Sequence, residues 1–274
     1  MMTPTQNGPF DATASRARCR KFRRRILDIS QTVPALHIAP AFSCLEMVDA
    51  IYFGLMRREA PDPDTFILSK GHGAMAQYCV LEELGILAPE EVAGAGKEGG
   101  RIGMHPDLGV PGIEASTGSL GHGLPIALGM ALADRTIGSA RQVFVVISDG
   151  ELEEGSVWEA LMLAPTFKLT NLVVLVDLND FQSLGQISMI HPNFYPMLPK
   201  IEAFGWEATE IDGHDPQAIV DAVRNRKGNR PFLALAKTVK GKGVSYMESV
   251  PLWHYRSPNA QEYALAVREV EEGQ

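Results

Sequence analysis

Two continuous apolar runs constrain this chain more than any other feature. The first is Val143-Phe144-Val145-Val146-Ile147, followed by Ser148-Asp149-Gly150. The second is Leu172-Val173-Val174-Leu175-Val176, followed by Asp177-Leu178-Asn179-Asp180. Neither run alternates apolar with polar residues. Short unbroken runs of β-branched and aliphatic residues suit strands covered on both faces. The stretch between them, about Gly155 to Lys168, reads as a helix. The result is a β-α-β unit, the building block of an α/β fold with a parallel sheet.

Each strand of this unit ends in an oxygen-bearing side chain, Asp149 after the first and Asn179 after the second. Ligands of open α/β sheets sit at the carboxyl ends of strands. A carboxylate and an amide oxygen placed there suit Mg²⁺ shared between protein and phosphate oxygens. A plainer reading stays open at this point: Asp149 caps the helix that follows and Asn179 makes an Asx turn.

The chain has 274 residues, enough for one large α/β domain. Its formal net charge of −8 argues against a general nucleic-acid partner or an anionic membrane surface. No apolar run is expected to reach the length of a membrane span. Cys19, Cys44 and Cys79 lack metal-ligand spacing and read as reduced core thiols of a cytoplasmic protein. The arginine-rich stretch Arg16 to Arg25 would suit a transit peptide. Cys19, Phe22, Ile26 and Ile29 at helical spacing make a first amphipathic helix the better reading.

Residues 1–14 read as a loose arm, and residues 15–274 as one domain. Helices are expected at Ser15–Ile29, Cys44–Arg57, Gly73–Leu84, Leu120–Asp134 and Pro216–Arg226. Further strands are expected at Thr65–Leu68 and Phe232–Lys237, with a helix and a strand between Ile201 and Ile211. Pro89–Gly118 and the stretch from Asn179 to Pro199 read as irregular, site-forming segments.

The segment Ser148–Asp180 resembles the thiamin diphosphate signature, an Asp-Gly with a downstream Asn. Together with Leu68–Tyr78, Gly103–Ala131 and Phe232–His254, in that order, it makes the chain similar to the amino-terminal half of transketolases, of the type made as two subunits. The resemblance runs from about Arg16 to Ala266. It departs from the family at Ser148, usually Gly, at Asp180, often a second Asn, and at Pro165, where the helix usually continues. It implies a three-layer, mostly parallel doubly wound sheet of the diphosphate-domain type.

The resemblance also implies roles for particular residues. Asp149, Asn179 and the carbonyl of Phe181 would hold Mg²⁺. Gly118, Ser119, Leu120, Gly150, Glu151, Asn179, His72 and His254 would contact thiamin diphosphate. His37, His72, His105 and His254 would line the donor channel as catalytic residues, since imidazole can donate, accept or shuttle protons near neutral pH. His122, His191 and His214 carry weaker signals. Glu154 and Glu159 would lie at an interface between subunits. The activating glutamate of such enzymes belongs to a pyrimidine-binding domain that these motifs do not include. A carboxyl-terminal transketolase subunit is therefore the expected partner, in two copies of each chain.

The activity so implied is transfer of a two-carbon ketol unit from a ketose to an aldehyde, with sugar phosphates as substrates. An alpha-type subunit of a 2-oxoacid dehydrogenase or decarboxylase is the alternative. A nicotinamide dehydrogenase is disfavoured because no Gly-x-Gly-x-x-Gly turn follows the first strand. A degenerate structural subunit is disfavoured by the presence of Asp149, Asn179, His72 and His105.

Overall fold

The computed structural model describes residues 9–33, 36–183 and 185–273. Among them five strands form one wholly parallel sheet: β1 (Thr65–Leu68), β2 (Val143–Ser148), β3 (Leu172–Leu178), β4 (Glu207–Asp212) and β5 (Phe232–Lys237). Their spatial order is β1-β2-β3-β5-β4. The helices are α1 (Ala12–Ser30), α2 (Ile38–Ala50), α3 (Ala74–Glu83), α4 (Pro89–Ala93), α5 (Gly123–Thr136), α6 (Gly155–Thr166), α7 (Ile187–Ile190), α8 (Leu198–Ala203), α9 (Pro216–Arg224) and α10 (Ala260–Glu272).

The unbroken apolar runs are explained by helices on both faces. Phe144 and Val146 of β2 face one core with Val173 and Leu175 of β3, packed against α1, α2, α3 and α9. Val143, Val145 and Ile147 face a second core with Val174 and Val176, covered by α5, α6 and α8. The β2–β3 and β3–β4 crossovers use this second face, and the β1–β2 connection passes from α3 on the first face to α5 on the second. Strand order then reverses from β4 to β5, and a right-handed return places α9 on the opposite face. That reversal opens a crevice at the carboxyl ends of β2, β3 and β5.

Several boundaries differ from expectation, each for a local reason. The first helix starts at Ala12, because the Asp11 carboxylate caps the amides of Thr13 and Ala14 at 2.9 Å. Phe10 already packs on the first core, so the expected arm is shorter than residues 1–14, and residues 1–8 lie outside the described region. The helix expected from Cys44 begins at Ile38, since Pro40 falls in a first turn whose amides need no helical acceptor. It runs on through a wider turn, Ile51–Leu55, that stops short of Arg57. The helix expected from Leu120 begins at Gly123, because Gly121 holds φ +79° just before it. The carboxyl-terminal α10 was not foreseen; Asn259 and Glu262 form its capping box.

One expectation about membranes is corrected. Ile38–Leu55 is long and apolar enough by composition to cross one, at 18 residues. It is 94% buried inside this fold, as a core helix is. Its charged residues Glu46 and Asp49 are buried with it, paired to Arg23 and Arg18.

Pro165 sits in the last turn of α6. Proline has no N–H, so the carbonyl of Leu161 loses its helical donor. The Trp206 indole N–H donates to that carbonyl at 2.8 Å and replaces it.

Candidate active site

The carboxyl ends of β2 and β3 carry Asp149 and Asn179, as the runs before them require. Asp149 is wholly buried, and its carboxylate accepts from the amides of Gly150, at 3.0 Å, and Asp180. The Asn179 side-chain oxygen accepts from Phe181 N at 3.1 Å, which closes an Asx turn. Asp180 follows with φ +66°, a left-handed conformation that Asp and Asn tolerate better than most residues. The cap and the turn are therefore both present, and they aim the two side chains.

These atoms also fit a metal. A carboxylate and an amide oxygen, with the Phe181 carbonyl nearby, are hard oxygen donors, and each oxygen has lone-pair capacity beyond the bond described. Burial, and then the charge of Asp177, push the Asp149 carboxyl up to about 7. A bound dication would offset that penalty. Among the described residues no cluster of three or more His, Cys, Asp or Glu could hold a metal. One carboxylate with two neutral oxygens leaves positions that phosphate oxygens and water could fill around a hard dication.

The histidines converge from four separate segments. The His37 ring centroid lies 6.2 Å from His72, 5.8 Å from His105 and 5.4 Å from His254. His72 and His254 are 5.7 Å apart. His72 lies in a tight turn after β1, and the loop bearing Gly118 presses close. A Cβ on Gly71 would meet Gly118 N at 2.5 Å, and one on Gly118 would meet His105 Cδ2 at 2.6 Å. Gly118 also holds φ +122°, so both space and conformation require glycine there. Tyr78 fixes the other side of the His105 loop by donating to the His105 carbonyl at 2.7 Å.

The hydrogen bonds fix two tautomers. His37 Nδ1 donates to the His254 carbonyl at 2.9 Å, so its Nε2 is the accepting atom. Lys240 Nζ donates to His254 Nδ1 at 2.7 Å, so His254 Nε2 bears the proton. Burial, and then Lys240, lower His254 to about 3. Burial also lowers His37 and, with Lys70, takes His72 well below the usual range. The site thus offers neutral imidazoles, His37 accepting and His254 donating, with ring centroids 5.4 Å apart.

Two buried lysines were missed in the sequence. Lys70 is 1% exposed and pairs with Asp177, while donating to Pro40 O at 2.9 Å and Ser43 Oγ at 3.1 Å. Lys240 lies 6.0 Å from the Phe181 ring centroid as well as on His254, which links the histidines to the β3 loop. Burial and the charge of Lys70 lower Lys240 to about 8. The available signal was opposite charges, Lys70 and Asp177, set directly against apolar strand runs.

The remaining expected residues are placed as follows. Gly150 opens the turn after Asp149 and is buried. The Glu151 carboxylate points inward, accepting from Ser69 Oγ, Gly121 N at 3.2 Å and Ser148 N at 2.9 Å. It braces the loop rather than facing the crevice, and Ser148 joins that brace. Ser119 and Leu120 are exposed beside it. Glu154 packs against Gly121, and Glu159 is exposed one turn along α6. His122 is exposed, His191 pairs with Glu153 at 3.0 Å, and His214 bonds Glu46 and Val239 N.

The model of the thiamine diphosphate binding domain of transketolase matches residues 25–262. The chain belongs to the transketolase family. It is 38% identical over 259 residues to one of the subunits of the apulose-4-phosphate transketolase of Phocaeicola vulgatus, covering 92% of each. It is 35% identical over 243 residues to the 6-deoxy-6-sulfo-D-fructose transketolase subunit SqwG of a Clostridium species, covering 86% of this chain and 88% of that one. Against human transketolase it is 36% identical over 241 residues, spanning 38% of that longer protein. The crystal structure of Campylobacter jejuni transketolase shares the fold, with a TM-score of 0.89 at 24% identity, over 96% of this chain and 43% of that one.

Proposed function

We propose that this chain is the diphosphate-binding subunit of a two-subunit transketolase that moves a two-carbon ketol unit from a ketose to an aldehyde. The observation that carries the reading is Lys240, which bonds His254 and reaches toward Phe181, so that the histidine cluster and the Asp149–Asn179 end of the sheet form one site. Asp149, Asn179 and the Phe181 carbonyl would hold Mg²⁺, and with it the diphosphate. Bound thiamin diphosphate supplies a nucleophilic thiazolium carbon able to carry the two-carbon unit. His37 Nε2 would accept a proton from a substrate hydroxyl, and His254 Nε2 would donate to another oxygen. The glycine-bound packing of His105 and His72 would hold sugar hydroxyls in place and keep water out.

The subunit role is supported by the high mutual coverage with relatives whose names make each one part of a transketolase, and by Glu154 and Glu159 on an exposed face. That face also carries Ile126 of α5 and Met162, Leu163 and Phe167 on or just after α6, each more than a third exposed. A pyrimidine-binding partner would bring the activating glutamate, and two copies of each chain would complete two sites. The three buried thiols fit a reducing compartment such as the cytoplasm.

The test is reconstitution. The purified chain, at saturating thiamin diphosphate and Mg²⁺, is expected to show no ketol transfer. Titration with the carboxyl-terminal half of a two-part transketolase is expected to bring activity, with a plateau at equal amounts. Full activity of the chain alone refutes the subunit role. Absence of thiamin diphosphate binding in the complex refutes the cofactor assignment.

A further inference from the structure

We infer that Tyr255 is a specificity-determining residue of this site, an aromatic platform for the carbon face of a carbohydrate substrate. The inference rests on the ketol-transfer reading above. The Tyr255 ring lies 4.7 Å from the His37 ring, tilted by 55°. His37 is the hub of the cluster, the ring that neighbours His72, His105 and His254. Tyr255 is nevertheless 58% exposed, and no hydrogen-bond partner meets its hydroxyl among the described residues.

This exposure sits on a fastened segment. Tyr255 ends the short helical turn Pro251–Tyr255. Trp253 in that turn is buried, packs on Tyr246 at 4.8 Å and carries the Arg256 guanidinium 4.3 Å over its ring. Arg256 donates to both carboxylate oxygens of Glu262, at 2.8 and 2.9 Å. The His254 carbonyl is held by His37 and its ring by Lys240. Residues on both sides of Tyr255 are thus tied down, while its own ring stands uncovered against the hub histidine. A large aromatic surface left open in a tied segment has the form of a contact surface.

The chemistry around it selects the ligand class. A polyhydroxylated carbon chain presents C–H groups on one face and hydroxyls at its edges. Tyr255 offers a flat apolar face for the former. His37 Nε2 and His254 Nε2 offer an acceptor and a donor for the latter. The Tyr255 ring carries no cationic group, and the adjacent Arg256 is committed to Glu262 and Trp253. Tyr255 therefore reads the length and stereochemistry of the carbon chain, not a terminal phosphate.

The experiment uses the reconstituted two-subunit enzyme with Tyr255→Ala and Tyr255→Phe. Kinetics are measured with ketoses of four, five and six carbons, with and without a terminal phosphate. Tyr255→Ala is expected to raise KM for the longer ketoses about tenfold, equivalent to about 1.4 kcal/mol. The rise should be the same with and without phosphate, and kcat should stay within about twofold. Tyr255→Phe keeps the ring and should stay within about threefold of wild type throughout. Unchanged KM in Tyr255→Ala overturns the inference. So does a fall in kcat alone, or a loss of partner affinity in the titration, which would mark Tyr255 as a wall of the interface with the partner. If Tyr255→Ala does not fold, Tyr255→Trp decides: it should shift the preference among chain lengths, and an unshifted preference refutes the platform. A wild-type complex without ketol transfer overturns the functional reading as well, whereas an active complex indifferent to these substitutions overturns this inference alone.

Discussion

Lys70 and Asp177 form an ion pair with 1% and 0% of their side chains exposed. Asp177 also accepts from Ser43 Oγ at 2.6 Å and from Thr238 Oγ1. Four parts of the site hang on this pair: the turn after β1 that carries His72, the start of α2 next to His37, the end of β3 that carries Asn179, and the residue after β5. Burial works against both charges, yet their attraction outweighs it. Lys70 is raised and Asp177 lowered from their ordinary values.

Lys70→Met should therefore destabilise the chain by about 3–5 kcal/mol, the usual cost of leaving a buried charge without its partner. Adding Asp177→Leu should recover part of that loss, because no uncompensated charge remains. Urea denaturation of both variants checks this. A cost below about 1 kcal/mol for Lys70→Met would show that the pair does not hold these segments together.

Asp149→Asn separates the metal role from the capping role. The amide keeps one oxygen for either Gly150 N or Asp180 N, which meet separate oxygens of the carboxylate, and sets its NH2 against the other. It also removes a charge that burial already disfavours. Its melting temperature without cofactor should change little, because the lost cap bond, worth about 1 kcal/mol, opposes the relief of the buried charge. Its Mg-dependent affinity for thiamin diphosphate, measured calorimetrically in the complex, should fall by about 10²-fold or more, since the anionic ligand is gone. Unchanged affinity would leave Asp149 with only its capping bonds.

The parts of this protein that were legible in the sequence are those where one residue type reports one physical constraint. The β2 and β3 runs announce strands covered on both faces, and the residues after them stand where strand ends must stand. The histidines were legible as candidates because each interrupts a glycine-rich or turn-like stretch. Their convergence was not, because it depends on long-range packing of four segments from residues 37 to 254. The direction of the Glu151 side chain was illegible for a related reason. The resemblance implies only that Glu151 contacts the cofactor, whereas the fold turns its carboxylate toward Ser69 and Gly121. The membrane-like run Ile38–Leu55 shows the same limit, since composition alone does not tell a core helix from a spanning one.

Gly118→Ala tests the packing that fixes His105. The added methyl would fall 2.6 Å from His105 Cδ2, on a backbone with φ +122°. The loop or the ring must shift, and a displacement of about 1 Å near the reacting atoms costs up to about 10²-fold in rate. In the complex, at saturating thiamin diphosphate, kcat should fall at least about tenfold. If kcat is unchanged, the position of His105 is not limiting.

The last prediction concerns Lys240 and the acid sensitivity of the histidine cluster. Burial, and then the Lys240 charge, lower His254 to about 3, and burial also lowers His37 and His72. Unfolded histidines titrate near about 6.5. The folded chain therefore binds fewer protons than the unfolded chain between that value and the depressed ones. The corresponding stability is fully present above about pH 6.5 and is lost as pH falls toward the folded values. Asp149, raised to about 7, opposes this over the same range, so the drop in urea midpoint between about pH 7 and pH 5 is expected in the Asp149→Asn chain. In Lys240→Met the charge that helps hold His254 down is gone, while burial, the larger cause, remains. The His254 ring-proton titration followed by NMR should then move up yet stay below the ordinary value of about 6.5, and the acid-side loss of stability should become shallower. A wild-type His254 that titrates near 6.5 would contradict the Lys240–His254 contact and, with it, the tautomer that makes His254 Nε2 the donor.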